Sequence, residues 1–525
     1  MKIFVPFRNI FSNDTTNIGS CTSPYHERFG PAGKDQVRAT VTEVAGLADA
    51  HFIQLAHGQV PWYKSKIYPH SDHMKWWSEY FEVAEENFAN LPDLQAYVRD
   101  GGDILADFIE ACREVGQAPF VSLRINDAHH VEWIDTKKHL HGFHSISKFI
   151  AENRDKMLGT DLTKWNERAL NWIYPEIPAH MLDIVREQCE DYDIDGYELD
   201  FMRHPFLFKV EETTFEERAR IVGQFIRSVR EILNSTERNG KHRYLCVRVP
   251  AKLSMWSDIG LSPEMLEGLG VEMVNISSHF YCNQWIDMKE FVRRLPNLAV
   301  YFEVCHCTYM GKKLTKSDYD NFTFRRTTKN EYYSTAKLAY EAGAKGLSFF
   351  NFVYYREHGA PPEARGPFNE PPFEVVGNVR DRDFIDSAPE HFFIARGWRE
   401  AGTQLDKPLK TNESNTLTLY LTDIDRNDND YRVRIVSNSS LEGITASLSV
   451  GGTRADVTYD ISEPYSEDND YPPLHGTSDN SRAFIISGAL LKGGLNELTL
   501  LFESENTDTI MIEYLDIFPA RYSTK

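Results

Sequence analysis

The sequence predicts a (β/α)8 barrel followed by a C-terminal antiparallel β-sandwich, and three observations predict it. Across residues 1 to about 400, short β-rich apolar runs alternate eight times with amphipathic stretches, the pattern of this barrel. The extra length falls after the second, third and eighth strands, in the connections where such barrels hold active sites. Past Gly402 the pattern changes to period-two strands separated by Asn, Asp and Gly turns. The expected division is a barrel over residues 1–403 and a sandwich over 404–525.

The first expected strand is Lys2 to Phe7, with a helix over Lys34 to Leu47. The second is His51 to Ala56, with a helix near Asp103 to Val115. Pro119 to Ile125 and Ile194 to Phe201 are the third and fourth, backed by Ala179 to Asp191 and the strongly periodic Phe215 to Leu233. Tyr244 to Val249, Met273 to Ser277 and Ala299 to Val304 follow, with helices near Pro263 to Leu269, Met288 to Leu295 and Tyr333 to Ala342. Gly346 to Phe350 is the eighth strand, and Ser387 to Gly397 is the expected closing helix.

Composition narrows the function. Of 525 residues, 41% are hydrophobic, enough for a large core, and 13% are aromatic, which suits stacking on the apolar faces of sugars. A net charge of −21 repels nucleic acid and anionic lipid, so neither is an expected partner. No apolar run approaches the length of about 18 residues that spans a membrane, and MKIFVPFRNIF reads as a strand rather than a signal peptide. A soluble protein is expected, cytoplasmic as the chain stands and periplasmic or secreted if a signal peptide has been removed. The seven cysteines form no CxxC pair and read as single buried thiols. Strand alternation would point His306 away from Cys305 and Cys307, which argues against a metal cluster there.

The strongest local signal is YDIDGYELDFMRHPFLF, residues 192–208. Gly196, Glu198 and Asp200 share one side of a period-two strand, with Asp200 at the carboxyl end. Two carboxylates on one face push their pKa values apart. Glu303 ends the seventh strand, AVYFEVCH, and Asp127 sits in RINDAHH after the third. Each could instead be a structural carboxylate or the partner of a strand-end arginine.

DGYELD resembles the fourth-strand signature DGxDxDxE of glycoside hydrolase family 18. It is closer to the DG-x-x-x-D-x-x-R strand of family-10-like barrel proteins, which Asp195, Gly196, Asp200 and Arg203 match. NDTTN, VPWYKSKIYP and FVSLRINDAHH look like a large group of bacterial glycosidase-like proteins, and this resemblance covers nearly all of residues 1–400. It implies glycosidic bond cleavage. Met202 stands where a chitinase-like enzyme has its acid Glu, so the substrate-assisted mechanism is not carried over. Retaining glycosidases on related barrels place two carboxylates at the ends of strands four and seven, roughly 5–5.5 Å apart, against 6.5–9.5 Å for inversion. The resemblance therefore makes Asp200 and Glu303 the first-choice catalytic pair, with Asp127 in reserve.

The other strand ends are basic and aromatic. Arg124, Arg203, Arg248 and Arg356 cluster there, and four guanidinium forks in a chain of net charge −21 point to an anionic sugar, sulfated or uronic, as one form of the substrate. Their alternative reading is as partners of Asp200, Glu198 and Glu303. Asn126, His57, His129, His130, His279, Tyr281 and Asn351 are expected to bind substrate hydroxyls, and the histidines and Tyr281 could instead shuttle protons. Trp62 and Lys64 are expected to bind substrate from the loop after strand two, where Tyr63, Trp76 and Trp77 could stack on sugar rings or pack the loop. A barrel metallohydrolase would want HxH on the first strand and a metal-binding Asp on the eighth. KIFVPFRN and SFFNF stand there instead, so no metal and no cofactor is expected. DIDRNDND (423–430) lacks the glycine and downstream Glu of an EF-hand and reads as a hairpin turn. The rival functions are an inactive carbohydrate-binding barrel and a polysaccharide lyase with a Tyr or His base.

Overall fold

In the computed structural model, the described residues are 4–21, 33–57, 59–83, 93–136, 146–279, 281, 282, 284–309, 324–356, 370–397, 402–462 and 479–520. The chain forms two compact units. One comprises Met1–Ser277 and Arg294–Tyr301, the other Ser278–Arg293 and Phe302–Lys525.

Eight strands close a barrel: β1 (Asn9–Asp14), β2 (Ala50–Gln54), β3 (Ala118–Arg124), β4 (Gly196–Asp200), β5 (Tyr244–Pro250), β6 (Met273–Ser277), β7 (Ala299–Cys305) and β8 (Gly346–Phe350). Neighbours from β1 to β6 are parallel. The helices that follow β1 to β4 are α1 (Lys34–Thr42), α2 (Ile104–Val115), α3 (Glu176–Asp191) and α4 (Phe215–Ser235). Then α5 (Pro263–Leu266), α6 (Met288–Arg294), α7 (Lys329–Glu341) and α8 (Arg382–Ser387) follow β5 to β8. Sequence cues fix these ends. Asp103 caps α2 by accepting from the Ala106 amide, and Gly116 ends it with φ +74°. A reciprocal Thr214–Glu217 box starts α4.

Two expectations are corrected. The first strand is Asn9–Asp14, not Lys2–Phe7, whose first two residues lie outside the described residues. Val5 and Phe7 instead join Ile10, Phe52, Phe120, Cys246, Met273 and Tyr301 in a buried cluster at the amino-terminal end of the barrel. Phe7 meets Phe120 edge-on at 5.3 Å, and its carbonyl accepts a bond of 2.7 Å from the Tyr301 hydroxyl. A strand whose inward positions near the mouth must be polar looks less strand-like in sequence than the apolar run before it. The closing helix is also misplaced. Pro389 interrupts Ser387–Gly397, and Phe392–Ala395 is a buried strand, β9, while α8 ends at Ser387.

Register stacks the interior in layers. Phe120, Gly196 and Tyr244 are level, then Ser122, Glu198 and Cys246, then Arg124, Asp200 and Arg248. Apolar contacts thus fill the amino end and charge gathers at the carboxyl end. Gly196 is required: a Cβ there would lie 2.1 Å from the Phe120 ring. Gly196→Ala should cost about 1–3 kcal/mol by overpacking, read as a lower urea midpoint at unchanged m-value.

Two antiparallel sheets are built from β9 with β10 (Ser414–Leu421), β11 (Asp430–Ser437), β12 (Thr445–Val450), β13 (Thr453–Arg454), β14 (Asp456–Thr458), β15 (Ser481–Ser487), β16 (Gly494–Glu503) and β17 (Ile512–Pro519). These sheets run β9-β17-β11-β15-β14 and β10-β16-β12-β13. β10 and β16 alternate buried and exposed, as a sandwich layer with one wet face does, whereas β11 and β17 are buried on both faces. Their second face carries an ionic cluster with α7. Glu331, in a capping box with Thr328, pairs with Arg325 and accepts from the Tyr514 hydroxyl. Asp516 pairs with Arg434 at 2.5 Å and His391 at 2.9 Å.

All seven cysteines are buried as single thiols. His306 lies in a bend beyond the end of β7, where alternation no longer applies, and its Nδ1 sits 3.2 Å from Cys305 Sγ rather than turned away. Among the described residues no helix is long and apolar enough to cross a membrane.

Candidate active site

The first five barrel strands bring one charged cluster to their carboxyl ends. At its centre is Asp200, 1% exposed. Arg248 Nη1 from β5 donates to both of its oxygens at 3.0 Å. Gln54 Nε2 from β2 donates at 2.7 Å and the Met202 amide at 2.8 Å. Arg124 Nε lies 3.9 Å from Asp200 Oδ2.

Arg124 ties this centre to two further carboxylates, Asp14 at the end of β1 (3.1 Å) and Asp127 in the loop after β3 (3.7 Å). Burial opposes its charge, yet Asp127, Asp14 and Asp200 together push its pKa up. Arg248 also reaches Ser277 at the end of β6, at 3.1 Å. Two guanidinium groups thus interleave with three aspartates. Such alternation satisfies buried charge while keeping carboxylates at the mouth.

Asp127, His129 and His204 form a second group whose ligand-type atoms all lie within 4.8 Å of one another. His129 Nε2 faces Arg203 Nη2 at 3.0 Å, a donor that cannot accept. The His129 proton therefore belongs on Nδ1, against the Asp127 carboxylate. His204 Nδ1 accepts the Ala128 amide at 3.2 Å, while its ring stacks on Trp165 at 4.1 Å. Burial first, then His129, pushes its pKa well below the ordinary imidazole value. With both Nδ1 atoms engaged and Arg203 and Arg124 flanking, the arrangement fits a proton-ordered hydrogen-bond cluster better than a cation site.

Beneath Asp200, Glu198 accepts from Ser122 at 2.6 Å, Asn275 at 3.3 Å and Cys246 at 3.6 Å. Asn126 donates to the carbonyls of Leu170 and Phe206, pinning the loop after β4. A cavity lined by Phe206, Phe208, Lys209, Glu167, Met255 and Asp258 lies beside that loop.

The expected residues divide by place. Asp200, Glu198, Arg124, Arg248, Asp127, His129, Arg203 and Asn126 come together as described. Trp62 is buried and Lys64 exposed, in a segment anchored to the outer helical layer. There Glu187 of α3 accepts from the Tyr63 and Ser65 hydroxyls and the Lys66 and Ile67 amides. His130 stacks on Trp133 at 4.2 Å, and the side chain of His57 lies outside the described residues.

In the second unit, Glu303 is buried near the end of β7, and His279, Tyr281 and Asn351 are buried after β6 and β8. Arg356 pairs with Glu370 at 2.7 Å. Sequence reading missed Asp14, Gln54 and Ser122. Period-two polar positions in otherwise apolar strands were their only signal.

Backbone strain marks the same ends. Gln59, His130, Arg203, His279 and Asn351 have φ between +52° and +68°. Each follows a barrel strand, after β2, β3, β4, β6 and β8 respectively. Eight described non-glycine residues have positive φ, and six of them, these five and Glu82 in the long connection after β2, fall in βα connections, where strain of this kind accompanies function.

No family model matches the chain, and no curated protein does. Among solved structures it is similar to α-L-fucosidase isoenzyme 1 from Paenibacillus thiaminolyticus, at 13% identity over 94% of this chain and 96% of that one, with a TM-score of 0.36. It is similar to the PgaB (BpsB) glycoside hydrolase domain from Bordetella bronchiseptica at 11% identity, over 72% and 99%, with a TM-score of 0.39. A third is an α-amylase from Geobacillus thermoleovorans, at 12% identity over 95% and 98%, with a TM-score of 0.35.

Proposed function

We propose that this protein is a glycoside hydrolase that cleaves a poly- or oligosaccharide with paired carboxylates, Asp200 and Glu303. The observation that carries the reading is Asp200 itself. Side chains from β2 and β5 and the chain just beyond β4 converge on one carboxylate at the barrel's carboxyl end, with the β3 arginine close by. A carboxylate faced by guanidinium is placed to bear negative charge against an oxocarbenium-like centre, as nucleophile or stabiliser. Glu303 is then the proton donor. Asp127 with His129 is the second reading, favoured by the hydrogen bond that orders the His129 proton.

Each of the four strand-end arginines has a partner within the chain. Arg124 and Arg248 face aspartates, Arg203 faces His129 and Arg356 faces Glu370. This supports a neutral sugar over a sulfated or uronic one, because an anion would compete with those partners. The test is to incubate the full chain with defined neutral, sulfated and uronic oligosaccharides and measure new reducing ends and absorbance at the wavelength of unsaturated uronates. Reducing ends from neutral glycans are expected. Release of none from any glycan would leave a binding barrel, and an unsaturated product would make it a lyase.

A further inference from the structure

The hydrogen-bond chain that ends on Asp200 begins one layer down, at Glu198, and it has a direction. Ser122 owns a single hydroxyl proton, which it gives to Glu198 Oε1 at 2.6 Å. Its oxygen therefore meets Gln54 as an acceptor. Gln54 Nε2 donates there at 3.3 Å and, with its other hydrogen, to Asp200 Oδ2 at 2.7 Å. Cys246 and Asn275 also aim donors at Glu198, on Oε2. Burial pushes the Cys246 thiol well above its ordinary range, so it stays a donor. Every one of these side chains is at most 2% exposed, so water does not set the orientation from outside.

We infer that Glu198 is a positioning residue: as the terminal acceptor of this chain, it obliges Gln54 to present its amide hydrogen, and not its carbonyl oxygen, to Asp200. Nothing in the Gln54 amide itself chooses between its two nearly isosteric ends. The polarity is inherited through Ser122 from Glu198, a carboxylate that only accepts, and it matches what Asp200, an acceptor at the other end of the chain, requires. Its effect on turnover, though not the orientation itself, rests on Asp200 being the carboxylate at which the glycosidic bond is cleaved.

Glu198→Gln keeps the shape but offers an amide that can donate to Ser122. The serine proton then turns to Gln54, whose carbonyl oxygen swings to face Asp200. With the full chain and a cleaved oligosaccharide, kcat should fall roughly 10- to 100-fold, the loss of a hydrogen bond to a charged group, with KM little changed. Adding Ser122→Ala removes the hydroxyl that enforces the inversion. Asp200 alone then orients Gln54, so E198Q/S122A should recover most of the lost turnover.

A readout independent of cleavage separates this inference from the glycosidase reading. In protein labelled with carboxyl-13C aspartate, the resonance that disappears in Asp200→Asn should be displaced in Glu198→Gln and restored in E198Q/S122A. A merely structural Glu198 makes the double variant at least as impaired as the single one. That result, or an Asp200 resonance unmoved by Glu198→Gln, would overturn the inference. A displaced and restored resonance in a chain that cleaves no glycan would uphold it and refute the glycosidase reading alone.

Discussion

Asp200→Asn and Glu303→Gln are each expected to lower turnover by about 10²–10⁴-fold, the contribution of a catalytic acid, base or nucleophile. The two should differ in their effect on folding. Asp200 accepts from Arg248, Gln54 and the Met202 amide. An asparagine there would turn an NH2 group against donors and leave Arg248 facing a neutral side chain. Asp200→Asn should therefore also unfold at lower urea concentration, by as much as about 3–5 kcal/mol, the cost of breaking a buried pair. Turnover is best compared per folded molecule, at a temperature where circular dichroism shows both variants native. Near-normal turnover in both would move the chemistry to Asp127 and His129.

An equally large stability effect belongs to Asp516→Asn in the second unit. Asp516 is fully buried between Arg434 and His391, and the substitution removes the carboxylate that pairs with both. About 3–5 kcal/mol should be lost at pH 7, read as a lower urea midpoint. The pH dependence has a definite sign. Burial opposes ionisation of Asp516, but Arg434 and His391 outweigh it and hold its carboxyl well below the ordinary aspartate value. Its contribution is therefore fully present above the unfolded-chain pKa of about 3.9, and it drains away as pH falls toward the lower folded value. Wild type should lose stability on acidification below about pH 4, whereas Asp516→Asn should lack that part of the loss. Parallel acid slopes for the two proteins would contradict this.

Much of the barrel was legible because its strands obey simple rules. β3 to β8 are buried apolar runs that sequence periodicity finds within a residue or two. β1 was not, because NIFSND puts Ser12 and Asp14 on the inward side, and the apolar plug before it is more hydrophobic than the strand. β9 failed for the opposite reason: FFIA is apolar enough for either element, and only Pro389 argued against a helix. At the site, the aspartates and arginines announced themselves by charge at strand ends. Gln54 and Ser122 did not, since a neutral polar residue acquires meaning only from what lies across the barrel. Trp62 and Lys64 are placed by loop membership alone, and their neighbours Tyr63 and Lys66 bond Glu187 of α3, a contact that loop membership does not reveal.

The five left-handed residues that follow barrel strands also bear on how this molecule can be improved in the laboratory. Glycine would occupy those backbone angles without penalty, whereas a side chain there costs of order 1–3 kcal/mol, least for Asn351 and the two histidines and more for Gln59 and Arg203. A screen rewarding heat tolerance alone should therefore drift toward glycine at Gln59, His130, Arg203 and His279, and a screen rewarding turnover should resist it. Under the proposed glycosidase reading, durability and activity compete at these positions, and variants enriched by one selection and depleted by the other are the expected result.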